Sequence, residues 1–139
     1  MKSKEELKLY SIQVLKELKP FLEEVEQCAR DLHDNPDRSD HLRIESQLVG
    51  VYTFITPKFK EFEAKSDSCE AIYYNNLKVK SEIDSTKFVS EVATRAAKEY
   101  VEDVRVMASV LEGWVKSIEQ LLTTCRNRSY QDRREQKHV

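Results

Sequence analysis

An unbroken heptad pattern in the C-terminal half of the chain constrains the fold more than any other feature. Nine residues follow one another there in alternating steps of four and three positions. This spacing is typical of a long α-helix that packs against other helices. No proline follows Pro57, so we expect one helix from about Ser85 to Arg134. The nine residues are Ala97, Val101, Val104, Ala108, Leu111, Val115, Ile118, Leu122 and Cys125.

Such a helix needs partners along its whole length, because about 50 residues would extend roughly 75 Å. The chain has 139 residues, of which 40% are hydrophobic and 35% charged, a balance that suits helices with one buried face. We therefore predict an all-α, oligomer-forming protein with a long antiparallel, coiled-coil-like helical hairpin and an additional N-terminal helix. The expected parts are an N-terminal helical segment, 1–33, and the hairpin with a basic C-terminal end, 39–139.

The N-terminal segment carries an apolar face over residues 3–32, as an amphipathic helix does. Ser3 and Glu6 can form a capping box at its start. Pro20 lies inside the segment, and because proline removes a helical hydrogen bond, we expect a kink or break near Lys19. Loop-forming residues at 34–40 separate this segment from the rest.

The second helix is expected to begin at Ser39 or Asp40 and to end between residues 77 and 83. Pro57 interrupts it, but the pattern stays in phase on both sides, which favours one bent helix over two. Its predicted stripe is Leu42, Glu45, Val49, Tyr52, Ile55, Phe59, Phe62, Ser66, Cys69, Tyr73 and Asn76.

A short connection joins the second helix to the third. Asp84 or Ser85 would cap the start of the third helix. A connection this short makes the two helices antiparallel neighbours.

The aromatic residues of the second helix could stack on nucleic-acid bases, but their spacing favours the hairpin core. Tyr52, Phe59 and Phe62 lie on the predicted stripe, and Phe54 lies beside it as an edge contact. We therefore expect packing, and not base stacking, from these rings.

The third helix carries a second apolar strip beside its seam, which a single hairpin partner would leave in water. We expect Trp114 to be a packing anchor there. This predicts a homo-oligomer larger than a dimer, with an interface formed by Leu111, Trp114, Ile118 and Leu122.

Evidence for catalysis is weak. Two glycines cannot build a phosphate-binding loop or a dinucleotide fingerprint. The three histidines, His33, His41 and His138, are expected to be exposed or to cap helices. We predict that the protein is not an enzyme and has no catalytic residues, metal site or cofactor.

The three cysteines, Cys28, Cys69 and Cys125, are too far apart for a metal-binding or CxxC motif. They are expected to be reduced, partly buried thiols. The chain has no signal-peptide pattern and no apolar run long enough for a membrane span. We therefore expect a cytoplasmic protein that does not contact membranes.

The end of the third helix is the basic part of an otherwise acidic chain. The formal net charge is −2, but residues 126–139 hold five Lys/Arg and two acids, a local +3. The planar guanidinium group of arginine can donate two hydrogen bonds to one phosphate group. Cations also stabilise a helix C-terminus through its dipole, so both interpretations stay open for Arg126, Arg128, Arg133 and Arg134.

Three motifs, in order, resemble a known family. The segment 126–130, Arg-Asn-Arg-Ser-Tyr, resembles the C-terminal signature of the phage recombination mediators called UvsY. Residues 42–47 are similar to the start of that family's second helix, and residues 80–84 to the segment before its last helix. The resemblance covers roughly residues 40–135.

The resemblance implies a small helical homo-oligomer that binds single-stranded DNA in phage DNA recombination and repair. It implies contacts with the recombinase and the single-strand-binding protein, recombinase loading, and location in the host cytoplasm. Where the family carries a Lys/Arg pair for DNA contact, this chain has uncharged residues 51–54. The expected DNA-binding residues are therefore Arg43, Lys58, Lys60, Arg126, Arg128, Arg133 and Arg134.

Two hypotheses follow. The first is a recombination mediator that binds single-stranded DNA. The second is a helical scaffold, such as an assembly or chaperone-like factor, that binds no nucleic acid. The basic tail and the ordered motifs favour the first, whereas the missing basic pair and the slightly acidic total favour the second.

Overall fold

The protein is all-α, as predicted. The computed structural model describes the backbone of residues 2–34 and 38–137, and the side chains of residues 2–34 and 40–128. Helices take up 93% of the described residues, with no strand among them. The described residues form four helices: α1 (Lys4–Asp34), α2 (Arg38–Ile83), α3 (Ser90–Tyr100) and α4 (Glu102–Lys137).

Helix α1 begins as the sequence predicts. The backbone N–H of Glu6 donates to Oγ of Ser3 at 3.1 Å, which satisfies one of the free donors of the first turn. Pro20 lies inside the helix, yet the helix continues to Asp34. The predicted break near Lys19 is therefore wrong, because buried residues on both sides of the proline hold the helix together.

Helix α2 also continues through a proline, Pro57, as one helix. It ends at Ile83 with a backbone cap. Ser85 has a φ of 53°, and its N–H donates to the Glu82 carbonyl at 3.3 Å. The N–H of Thr86 donates to the Ser81 carbonyl at 3.0 Å, which completes a Schellman motif.

The start of α3 differs from the prediction. The helix begins at Ser90, and its N-cap residue, Val89, makes no side-chain cap. Ser85 ends α2 and does not begin the next helix, because its left-handed backbone is that of a C-cap. At Val101 the helix is locally irregular, but Val101 still donates to Ala97 at 3.3 Å and accepts from Arg105 at 2.9 Å.

The chain divides into two compact units. Unit 1 comprises Met1–Leu15 and Phe59–Val110, and unit 2 comprises Lys16–Lys58 and Leu111–Val139.

In unit 2, both α1 and α4 run antiparallel to α2. Between α1 and α2, Phe21 stacks on Phe54, with ring centroids 4.4 Å apart. Between α2 and α4, Tyr52 donates to Glu119 at 3.0 Å, and further back along α2 Glu45 meets Arg126. As the residue numbers increase along α2, those of the contacting residues in α4 decrease, so the two helices run antiparallel.

In unit 1, α2 packs against α3 and the start of α4, again in an antiparallel arrangement. Tyr73 stacks on Tyr100 with ring centroids 4.4 Å apart, and Glu70 forms a 2.6 Å ion pair with Arg105. The first turns of α1 join them, because Tyr10 stacks on Phe62 of α2 at 5.5 Å.

The buried residues follow the predicted faces of α1 and α4, but the first half of the α2 stripe is shifted. Leu42 and Val49 are 53% and 43% exposed, although both were expected in the core. From Ile55 to Ser66 the buried residues are those of the predicted stripe. Tyr52, the stripe position just before Ile55, is half-buried. The core positions before that are His41, Ile44, Leu48 and Val51.

Candidate nucleic-acid interface

Arg43, Arg126 and Arg128 all lie in unit 2, although Arg43 is far from the other two in sequence. They lie where α1 ends, where α2 begins and where α4 passes both. Arg128 reaches the backbone of Leu32 in α1, and Arg126 reaches Glu45 in α2. Each of the three arginines thus binds its own set of partners on α1 or α2.

Arg43 lies in the first turns of α2 and is surrounded by acceptors. Its Nη2 is 3.7 Å from Oδ2 of Asp31 and 3.9 Å from Oδ1 of Asp40. Its Nη1 donates to Oε1 of Gln47 at 3.4 Å. The Arg43 side chain is 51% exposed, so these are surface contacts.

Arg126 makes one ion pair across helices. Its Nε lies 3.4 Å from Oε1 of Glu45, and its side chain is 65% exposed. Exposed ion pairs of this kind stabilise a protein by only about 0.2–1 kcal/mol. The Arg126 guanidinium is therefore accessible to a phosphate, beside a Glu45 carboxylate that is 27% exposed.

Arg128 is held more firmly. Its Nη1 donates to the backbone carbonyl of Leu32 at 2.7 Å, and the contact is partly buried. Leu32 is in the last turn of α1, where carbonyls lack partners within the helix. Arg128 thus caps the C-terminal end of α1. Of the two interpretations that the sequence left open, this is stabilisation of a helix end and not phosphate binding. The helix that it stabilises is α1, whereas Arg128 itself belongs to α4.

The same guanidinium meets a buried histidine. Nη1 of Arg128 lies 3.4 Å from Nε2 of His41, which is only 2% exposed. A guanidinium can only donate, so Nε2 accepts and the ring proton is on Nδ1. His41 Nδ1 is buried with no hydrogen-bond partner among the described residues. The prediction of an exposed or capping His41 is wrong because three helices enclose it; His33 is exposed, and His138 is outside the described residues.

The remaining predicted DNA-binding residues are more scattered. Lys60 belongs to unit 1, where its Nζ lies 3.8 Å from Glu63 and 5.0 Å from the centroid of the Phe59 ring. Lys58 belongs to unit 2 and is half-buried. Arg133 and Arg134 are in α4, but their side chains lie outside the described residues.

The four predicted oligomer-interface residues have unequal exposure. Leu111 and Ile118 are fully buried, and Leu122 is 6% exposed, all within unit 2 of a single chain. Trp114 is half-buried and faces a groove of about 440 Å³ between α1 and α4. Of the four, Trp114 therefore has the surface that a second chain could contact.

Sequence reasoning missed the acceptors around the arginines. Asp31, Glu45 and the Leu32 carbonyl are each more than ten positions from the cations that they bind. Long-range pairs of this kind leave no periodic signal, so only the packing of the three helices brings them together.

The two buried cysteines, Cys28 and Cys125, are poorly reactive at neutral pH. All three are free, with Cys28 and Cys125 buried and Cys69 partly buried. Burial raises the pKa of the Cys28 thiol to about 11, and burial likewise raises the pKa of Cys125. A protonated thiol is a poor nucleophile and a poor metal ligand.

The described residues include no group of three or more metal-ligating side chains. None of the helices in this described part of the chain combines the length and apolar character needed to cross a bilayer. Neither absence identifies a function.

Comparisons with known proteins identify no relatives. No protein-family model matches the chain, and neither curated proteins nor solved structures include a significant match.

Proposed function

We propose that the protein is a recombination mediator that binds single-stranded DNA and helps to load a recombinase onto it. The observation that carries this proposal is the exposure of Arg43 and Arg126, two cations of unit 2 whose side chains are 51% and 65% exposed. The resemblance of residues 126–130 to the mediator signature supports it from the sequence.

Phosphate contact needs cations that can leave their present partners. Arg43 and Arg126 are more than half exposed, whereas their carboxylate partners Asp31 and Glu45 are 22% and 27% exposed. Charge-assisted bonds to phosphate are strong and often bidentate for arginine. Arg128 instead connects α4 to the end of α1.

Assembly is the second element of the proposal. A homo-oligomer would repeat one modest basic patch on every subunit, and a long strand could contact several patches at once. Such avidity offsets the low charge of a chain whose net charge is −2. The groove beside Trp114 is the proposed site of contact between subunits. The recombinase and the single-strand-binding protein are the proposed protein partners.

A fluorescence titration tests the DNA-binding step. Labelled oligonucleotides of two lengths are titrated at low and high salt with the parent, Arg43→Ala/Arg126→Ala and Lys116→Ala. Lys116 is a matched control, since it lies in α4 and pairs with an acid, Glu112, at 2.8 Å. We expect only the double variant to bind DNA more weakly. A plot of its log affinity against log salt concentration should be shallower than that of the parent, by about 0.7 for each lost phosphate contact.

The length series tests the avidity step. The longer oligonucleotide should bind far more tightly than one that spans a single patch. A parent that fails to bind at low salt, or a double variant that matches the Lys116→Ala control throughout, would reject the proposal.

The alternative function is a helical scaffold without nucleic-acid binding. It is favoured by the fact that Arg43, Arg126 and Arg128 all have partners within the chain. Large apolar side chains such as Phe54 and Ile83, 55% and 77% exposed, also suit a protein partner. An oligomer in sedimentation with no salt-dependent DNA binding would favour this function.

A further inference from the structure

Two lysines of unit 1 meet at one aromatic ring. The Nζ of Lys2 lies 4.8 Å from the centroid of the Tyr10 ring, and the Nζ of Lys65 lies 4.1 Å from the same centroid. The two ammonium groups are therefore at most about 9 Å apart, the sum of these two distances. We call Lys2 and Lys65 the lysine pair; both residues and the ring belong to unit 1.

Tertiary contacts from three helices bring the lysine pair together. Lys2 precedes α1, and its backbone carbonyl accepts a hydrogen bond from the hydroxyl of Tyr100 in α3, a side chain that is only 6% exposed. Lys65 lies in α2, three positions after Phe62. The Tyr10 ring of α1 stacks on Phe62 with ring centroids 5.5 Å apart. The backbone of one lysine and the ring beside the other are thus both fixed by packing.

The charge of the lysine pair is not neutralised within the described part of the chain. Neither ammonium group has an ion-pair partner among the described residues. The Glu61 carboxylate accepts a hydrogen bond from the Tyr10 hydroxyl. The face of an aromatic ring attracts each cation, but two like charges this close together repel. An anion that contacts both ammonium groups removes this repulsion.

The chemistry of the lysine pair suits a backbone phosphate. A lysine ammonium group binds phosphate as a compact point charge. Phe62 stacks on the Tyr10 ring and the ammonium groups lie over it, so the ring offers no free surface on which a base could stack. Contact with a strand is therefore made through its phosphates, which carry no base information.

We propose that Lys2 and Lys65 form a phosphate-binding site on unit 1, which takes a backbone phosphate of single-stranded DNA. The inference rests on the proposed function, because that function supplies the strand. It adds a contact site that shares no residue with Arg43 and Arg126, which belong to unit 2.

Titration of labelled oligonucleotides tests the site with two double variants. Lys2→Gln/Lys65→Gln removes the lysine pair. Lys4→Gln/Lys8→Gln is the matched control, since both of its lysines are exposed on α1 in unit 1 and the charge change is the same. Loss of two phosphate contacts should weaken binding at least about tenfold at about 0.1 M salt, and should make the plot of log affinity against log salt concentration shallower by about 1.4. The control should change the affinity by less than about threefold, because salt screens charges that do not touch the strand.

Two further measurements separate phosphate contact from other roles. Oligo-dT and oligo-dA of equal length should lose the same factor in affinity, because the contact is with the backbone. Lys2→Arg/Lys65→Arg keeps both charges and should bind within about threefold of the parent. Bound oligonucleotide should also protect the lysine pair, but not Lys4 and Lys8, from an amine-reactive label read out by mass spectrometry. Circular dichroism checks that all variants fold.

The pattern across variants separates this inference from the proposed function. If Arg43→Ala/Arg126→Ala weakens binding whereas Lys2→Gln/Lys65→Gln matches its control, the lysine site is overturned and the proposed function stands. If only the lysine variant weakens binding, the lysine site stands and the arginines do not carry the function. A parent that binds no oligonucleotide at low salt overturns both.

An acidic peptide is the competing ligand, since carboxylates also pair with lysines. Polyglutamate is therefore titrated against the parent and Lys2→Gln/Lys65→Gln under the same conditions. Polyglutamate binding that depends on the lysine pair, together with oligonucleotide binding that does not, would overturn the phosphate assignment. Oligonucleotide binding that depends on the pair in the presence of excess polyglutamate supports it.

Discussion

Arg128 donates a 2.7 Å hydrogen bond from Nη1 to the backbone carbonyl of Leu32, at the end of a helix that is 96 positions earlier in the chain. The two residues connect α4 to α1. A basic residue that resembles a DNA contact in sequence therefore has a structural role. This relationship distinguishes the role of Arg128 from that of Arg126, although the two are only two positions apart.

Arg128→Ala should lower the free energy of unfolding by about 1.5–3 kcal/mol, because it leaves the Leu32 carbonyl without its charged donor. Arg126→Ala should lower it by no more than about 1 kcal/mol, since its exposed ion pair contributes little. Urea unfolding followed by circular dichroism measures both. Equal losses for the two variants would contradict the capping role of Arg128.

Ser85→Gly should stabilise the protein by about 0.5–1 kcal/mol. The φ of 53° at Ser85 is costly for a residue with a side chain, whereas glycine adopts it freely. Thermal unfolding measures the change. Ser85→Val, the opposite control, should destabilise, since a β-branched residue is strained at positive φ; a neutral Gly variant would argue against the C-cap.

Leu111→Ala and Ile118→Ala should each cost about 2–5 kcal/mol of stability, because both side chains are fully buried in a single chain. Trp114→Ala should weaken assembly more than it changes helicity, since this side chain borders the open groove. Chemical unfolding and sedimentation together distinguish the two effects. If Trp114→Ala sediments like the parent, this groove is not the subunit contact.

Stability should fall as the pH rises above about 9. The pKa of the Cys28 thiol is near 9.0 in the unfolded chain and about 11 in the folded protein, because burial disfavours the thiolate. Ionisation therefore favours unfolding between these values, by up to about 1.4 kcal/mol per pH unit, and the contribution is fully present below pH 9. Urea unfolding at several alkaline pH values should show a shallower decline for Cys28→Ala; an unchanged slope would exclude Cys28 as the cause.

The apolar periodicity was sufficient to predict the all-α class, the continuity of α2 across Pro57, and the buried seam of α4. Val104, Leu111 and Ile118 are fully buried as their spacing predicts. Periodicity succeeds here because a helix in contact with neighbours along its length must repeat its apolar residues with the period of the helix.

Before Pro57, α2 carries two alternative sets of regularly spaced apolar residues, and the tertiary structure decided which set is buried. Leu42 and Val49 are as apolar as Ile44 and Leu48, so the pattern alone does not choose between them. The positions of α1 and α4 do, and they bury the second pair.

The sequence by itself determined the helical class and the buried faces of α1 and α4, because these depend on residues a few positions apart. Only the tertiary structure decided the roles of the charged and polar residues. Arg128 caps α1, His41 is buried beside it, and Glu45 faces Arg126, since each contact joins helices whose relative positions no local pattern encodes.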